Sequence, residues 1–220
     1  MRRSIFAAEA VGTFGLIVAA TGSIVYDGMN NYTLGLGFIT LMHMLGLWFL
    51  VFVFGRYSMA HFNPAVTLGF AITGHAKWSS VPTYLMAQGV GAMAGSIFVL
   101  VVMGNYADLG LNRPDPTYGP VALVMIEAAA TMILMGAILC IVGIRANAPV
   151  AGLVVGGAVA VDVWFFGPIS GASMNPIRSL APAAITGMFD YLWLYFAAPL
   201  AGVLPPAYAY RYFRCRKSPG

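Results

Sequence analysis

Residues 60–71 read AHFNPAVTLGFA, and residues 172–183 read ASMNPIRSLAPA. The two segments share Ala60/Ala172, Asn63/Asn175, Pro64/Pro176, Leu68/Leu180 and Ala71/Ala183. Each opens a helix with Asn at the cap and Pro in the first turn, where a backbone donor is not needed. As a helix, residues 63–74 reach about 18 Å, roughly half of a 30 Å hydrocarbon core. The surrounding chain is 60% hydrophobic and 8% charged, whereas a soluble domain carries about 25% charged residues. A single Asn-Pro cap is common anywhere. Two in register within a membrane chain read as half-helices that dip into the bilayer, and such a pair points to a transport site.

A spanning helix needs about 20 mostly apolar residues. Six are expected, over 5–26, 34–55, 82–104, 120–144, 149–166 and 191–212, within a single domain covering 1–220. The basic, apolar start of the chain has features of a signal peptide. It is long enough to span, however, and it carries Glu9, which has a counterpart in Glu127 of the fourth span. It therefore reads as the first spanning helix. Tyr84, Leu85 and Gly95 align with Tyr191, Leu192 and Gly202. Two internal repeats, about 1–104 and 120–213, each run span, span, half-helix, span, and the polar loop 105–119 joins them. Three spans per repeat turn the second repeat upside down, so the half-helices enter from opposite faces and complete a seventh, broken span. The expected fold is an all-α membrane protein with six transmembrane helices, two re-entrant half-helices and an inverted repeat. Small residues four apart, at Gly91/Gly95, Gly152/Gly156 and Ala198/Gly202, allow neighbouring backbones to approach closely.

The net charge of +4 does not suggest nucleic acid, because the basic residues sit at helix ends and form no single soluble face. They encode topology instead. Arg2, Arg3, Arg56, Lys77, Arg145, Arg211, Arg214, Arg216 and Lys217 fall on one side, expected to be cytoplasmic together with both termini. Arg113 and Arg178 fall on the other. Cys140 and Cys215 make no disulfide framework. No zinc pattern or phosphate-cradling glycine loop occurs, so neither a metal nor a cofactor is expected. No nucleophile–base set shares one layer of the chain, so an enzyme is not expected.

The Asn-Pro caps have specific chemistry. Each Asn oxygen can cap its own helix and leave its amide NH₂ free to point into a cavity. Both helix N-termini aim partial positive charge at one central spot, which disfavours cations. Arg178 follows the second cap within its first turn. A charge held inside a membrane bundle is costly and is functional by default.

These features, with GPISGASMNPIR among them, resemble the aquaporins, also called major intrinsic proteins, over essentially the whole chain. The resemblance implies a passive channel for water and small uncharged solutes in the lipid bilayer of a cell membrane, assembled as a homotetramer. Asn63-Pro64-Ala65 matches the family motif, and Asn175-Pro176-Ile177 departs from it with Ile in place of Ala. That larger residue is expected to tune packing where the half-helices meet or to alter the pore radius slightly. Family spacing implies a selectivity filter of His43, Val163, Ala172 and Arg178. It also implies that Glu9 and Glu127 support the re-entrant loops, and that His61 lines the inner vestibule. In some plant relatives a similar His-aliphatic-small-Arg set is associated with ammonia as well as water. Ammonia, glycerol or another neutral solute thus stays open as the main substrate. Ser179, Ala183 and the Tyr195-Phe196 pair oppose a glycerol channel by the same resemblance. Asp162 has no family counterpart that assigns it a role.

Overall fold

The computed structural model describes residues 2–216, and of Arg2, Cys215 and Arg216 the backbone alone. Lys217, counted above among the basic residues of one face, lies outside the described residues. Among those residues the regular elements are helical. They are α1 (Arg2–Met29), α2 (Gly35–Ser58), α3 (Pro64–Ile72), α4 (Val81–Met103), α5 (Pro120–Gly143), α6 (Ala148–Ser170), α7 (Pro176–Thr186), α8 (Leu192–Gly202) and α9 (Leu204–Arg216). Six runs are long and apolar enough to cross a membrane: α1, α2, α4 with its preceding turn, α5, α6, and α8 with α9. The short helices α3 and α7 are the two Asn-Pro segments.

Two boundaries differ from the sequence reading for local reasons. Helix α6 runs to Ser170, four residues beyond the expected end, straight through Gly167 and Pro168. A proline near a C-terminus deletes one ladder bond but does not forbid the last turn. Gly171 then stops the helix with a left-handed φ of 87°. The sixth span is broken at Val203, just ahead of Pro205 and Pro206.

The halves interlock. Helix α1 lies along α4 and α2, α5 lies along α8 and α6, and α2 meets α6 between the halves. Each half-helix also packs against a span of the opposite half: α3 against α9, and α7 against α4. Close approach depends on glycine. A Cβ at Gly91 would strike the Ala10 carbonyl of α1, and one at Gly202 would strike the Ala128 carbonyl of α5. Ala10 and Ala128 are equivalent when Glu9 and Glu127 are superposed, so Gly91 corresponds to Gly202. The pairing of Gly95 with Gly202 read from the sequence is therefore one helical turn out of register. Asp27 accepts from the backbone N–H groups of Leu34 and Gly35 at 2.9 and 3.0 Å and so fixes the start of α2.

Candidate functional site

The loops that lead into α3 and α7 hold strained backbone at equivalent places. Met59, Ala60 and Phe62 have φ of 64°, 51° and 47°, and Gly171, Ala172 and Met174 have φ of 87°, 42° and 52°. For non-glycine residues this region costs on the order of 1 kcal/mol or more each, so the surroundings must enforce it. Glu9 does so in the first half. Its carboxylate accepts from the N–H groups of His61 (2.9 Å) and Phe62 (2.8 Å), from Ser58 Oγ (2.6 Å) and from Gln88 Nε2 (2.8 Å). Glu127 does so in the second, accepting from the N–H groups of Ser173 (2.9 Å) and Met174 (3.0 Å) and from Ser170 Oγ (2.7 Å). Tyr84 donates to the Ser58 carbonyl at 2.8 Å, and Tyr195 donates to the Ser170 carbonyl at 2.6 Å. Tyr84 thus corresponds to Tyr195, not to Tyr191. The serines were missed in the sequence although they stand five residues before each Asn, just outside the matched segments.

The two Asn caps do more than was expected of them. Asn63 Oδ1 accepts from the Ala65 N–H at 2.8 Å, and Asn175 Oδ1 accepts from the Ile177 N–H at 3.2 Å. Each amide then crosses to the other loop: Asn63 Nδ2 donates to the Met174 carbonyl (2.8 Å), and Asn175 Nδ2 donates to the Phe62 carbonyl (2.9 Å). These reciprocal bonds tie the two tips together. The NH₂ groups are therefore only half free, since each has two hydrogens and one is committed. Among the described residues, no hydrogen bond reaches the carbonyls of Ala60, His61, Ala172 or Ser173.

Three cavities share lining residues in series, and the middle one is lined by both tips. The smallest, about 60 Å³, is lined by both asparagines, Ala60, His61, Ala172 and Ser173 together with aliphatic residues such as Leu134, Ile138 and Val159. A cavity of about 200 Å³ joins it at His43 and Arg178 and also touches Val163. A cavity of about 290 Å³ joins its other end at Ala60, Ile138 and Val155. Of the four expected filter residues, His43 and Arg178 line both the 60 Å³ and the 200 Å³ cavities, Ala172 lines the smaller of these and Val163 the larger. His43 is buried, with Nδ1 against the Ile39 carbonyl at 2.8 Å in its own helix. His61 lies in the wall of the smallest cavity and not in the 290 Å³ one. Its ring is stacked between Phe70 and Tyr84 at centroid distances of 4.5 and 4.2 Å, and Nδ1 meets Thr67 Oγ1 at 3.1 Å.

Arg178 is held by the loop that the sequence presents as a polar connector. Ala107, Asp108 and Leu109 form a left-handed turn with φ of 47°, 49° and 57°. The turn buries Leu109 against Val25 and Val99 and sets Gly110 onto Thr21 of α1. The chain that follows carries Asn112 to the junction. Arg178 Nη1 donates to the Gly110 carbonyl at 3.0 Å and to Asn112 Oδ1. Asn112 Oδ1 also accepts from Ser179 Oγ at 2.8 Å, while its Nδ2 donates to the Gly171 carbonyl at 2.7 Å. No local pattern in the loop marks Asn112, because its partners are 59 to 67 residues away.

The sequence leaves two further residues open, Ile177 between packing and pore radius and Asp162 without a role. Ile177 points away from the cavities and packs with Ile17, Ala92 and Ala181 between α1, α4 and α7. It changes the packing behind the tip and does not narrow the passage. Asp162 is fully buried, and neither carboxylate oxygen has a partner among the described residues. Nothing in the structure explains it.

Six spans, two opposed capped half-helices and a series of cavities that share lining residues define a membrane channel. Residues 2–210 match the family described as Major intrinsic protein, and the chain belongs to that family. Its relatives include a rice protein named aquaporin NIP1-2 (Oryza sativa subsp. japonica), 37% identical over 96% of this chain and 72% of that protein. A maize protein named aquaporin NIP1-1 (Zea mays) is 34% identical over 96% of this chain and 75% of that protein. The solved structure of the aquaglyceroporin from Plasmodium falciparum superposes with a TM-score of 0.87, covering 99% of this chain and 98% of that one at 22% identity. This last likeness speaks for the fold. The chain is therefore a passive channel for water or small solutes, in a family of transporters rather than enzymes.

Proposed function

We propose that water is the main solute and that other small uncharged molecules follow the same path. The observation that carries this reading is the small cavity of about 60 Å³, flanked by cavities of about 200 and 290 Å³, that the paired Asn63 and Asn175 tips line. Solutes pass it in single file. The remaining amide hydrogens of Asn63 and Asn175 donate to the passing oxygen, and the open carbonyls of Ala60, His61, Ala172 and Ser173 accept from it. His43, Val163, Ala172 and Arg178 form the filter. Cations are disfavoured by the guanidinium of Arg178 and by the N-terminal ends of α3 and α7, and they lose hydration that the aliphatic wall does not replace. Glu9 and Glu127 hold the loops in the conformation that keeps those carbonyls open.

Ammonia is the second reading. It is favoured by the imidazole of His43 beside the small side chain of Ala172 at the same junction, which offers a nitrogen partner to a solute of water's size. Stopped-flow light scattering on proteoliposomes separates the two. The primary reading expects water permeability well above empty liposomes. Water permeability at the empty-liposome level with accelerated ammonia uptake would replace water by ammonia. We also assign both termini to the cytoplasmic side of a cell membrane, from the distribution of Lys and Arg. A homotetramer in the bilayer accounts for the apolar side chains left exposed on the helices, such as Val101 and Val121.

A further inference from the structure

The last turns of α9 rest on the C-terminal end of the half-helix α3, and His75 sits in the joint. Three side chains of α9 meet this end. Arg211 Nη1 donates to the Ile72 carbonyl at 3.3 Å. Arg214 Nη1 lies 3.5 Å from His75 Nε2. The Tyr210 ring stands 5.3 Å from the imidazole. From α3, Phe70 meets the other side of the imidazole edge-on at 5.8 Å.

The hydrogen bonds assign the proton on His75. The Thr73 hydroxyl donates back into its helix, to the Gly69 carbonyl at 3.0 Å. Its oxygen, 2.8 Å from His75 Nδ1, must then accept, so Nδ1 carries the hydrogen. Nε2 is left as a bare acceptor for Arg214. The joint as built needs neutral histidine, because a proton on Nε2 converts the Arg214 bond into a clash of like charges.

Among the described residues, no acidic side chain is positioned to relieve that clash. The chain has seven acidic residues. Asp27, Asp108, Asp115 and Asp190 lie in or beside the connections on the opposite face, and Glu9, Glu127 and Asp162 are buried within spans. The charged side chains facing His75 are Arg211 and Arg214 of α9, and Lys77 follows two residues along the chain. Tyr210 is the other titratable group in contact. Burial, and secondly the charge of Arg214, hold the His75 pKa below the usual imidazole value. The folded joint therefore prefers the neutral ring. Its contribution is fully present above the ordinary imidazole pKa of about 6.5, and it is lost as pH falls through that value toward the lowered one.

We propose that His75 is a proton-sensitive seat for α9: acid on the face that carries the termini releases the last turns of α9 from α3 and lowers permeability. The coupling path is short. Phe70 touches both His75 and His61, and α3 carries Asn63 at its other end. The effect on permeability rests on the channel reading above, whereas the release of α9 does not.

The test is hydrogen–deuterium exchange of the peptide covering 207–216 in nanodiscs, corrected for intrinsic rates, paired with water permeability of proteoliposomes equilibrated at each pH. Between about pH 8 and about pH 5, protection of wild-type α9 should fall, by up to about tenfold per pH unit for a single linked proton. Permeability should fall several-fold in parallel. His75→Gln, which keeps a neutral donor and acceptor, should hold both flat. Arg214→Gln, which removes the like-charge contact, should shrink the fall in protection between the two pH values. Wild-type protection that is flat with pH, or that falls equally in His75→Gln, overturns the seat. Release of α9 with unchanged permeability overturns the link to conduction. No permeability at any pH, with the exchange pattern intact, would count against the channel reading and leave the seat standing.

Discussion

Replacing Asn112 by alanine tests how the filter arginine is positioned. The substitution removes one acceptor of Arg178 Nη1, the acceptor of Ser179 Oγ and the donor to the Gly171 carbonyl. The bond to the guanidinium is charge-assisted, worth about 1.5–3 kcal/mol net, and the two neutral bonds are worth about 1 kcal/mol each. Gly110 continues to hold Nη1 at 3.0 Å, so the guanidinium is loosened but not released. A loss of about 2 kcal/mol from its preferred position raises the population of displaced rotamers about 30-fold. A displaced guanidinium opens the junction on its outer side. The expected result is a lower ratio of water to urea permeability in stopped-flow assays, with urea gaining about tenfold or more. Thermal unfolding should report a loss of about 2–4 kcal/mol, because the charge-assisted bond is lost and the Gly171 carbonyl is left without its Asn112 donor, whereas Ser179 Oγ keeps Ser173 Oγ at 2.6 Å. Unchanged permeability ratios would falsify the clamp and leave Gly110 as the sole determinant of the Arg178 position. A changed ratio in Asn112→Ala together with an unchanged one in Asn112→Asp would show that the acceptor oxygen is what matters.

Three further outcomes follow from the geometry. Ile177→Ala should cost about 2–4 kcal/mol by opening a void against Ile17 and Ala92; the solute ranking should not move, and a shift toward wider solutes would place Ile177 in the passage after all. Gly202→Val drives a side chain into the Ala128 carbonyl and to within 2.9 Å of Thr131 Cβ, so it should lower the unfolding temperature and the yield of folded protein by the equivalent of about 3 kcal/mol or more; wild-type stability would refute the close approach of α5 and α8. Mercurials should leave water permeability untouched, because Ala172 stands where a thiol would block the smallest cavity and Cys140 lines none of the three cavities; strong inhibition that disappears in Cys140→Ser would show that α5 faces the passage differently.

The membrane class, the six spans, the two half-helices and their opposed entry were legible in the chain. Each rests on local or periodic information: apolar runs of bilayer length, Asn-Pro caps, and a duplication that repeats short strings in order. The functional asparagines were legible for the same reason, since a cap is specified by the residues next to it. Tertiary structure decided whatever depends on partners far along the chain. It placed Asn112 on Arg178 across 66 residues, turned Ile177 into the packing behind α7, moved the Tyr84 equivalence from Tyr191 to Tyr195, and spent one hydrogen of each Asn amide on the opposite loop. A hydrogen bond between distant segments leaves no periodic trace in either one. The sequence can therefore name the groups that want partners, and only the fold determines which partner each receives.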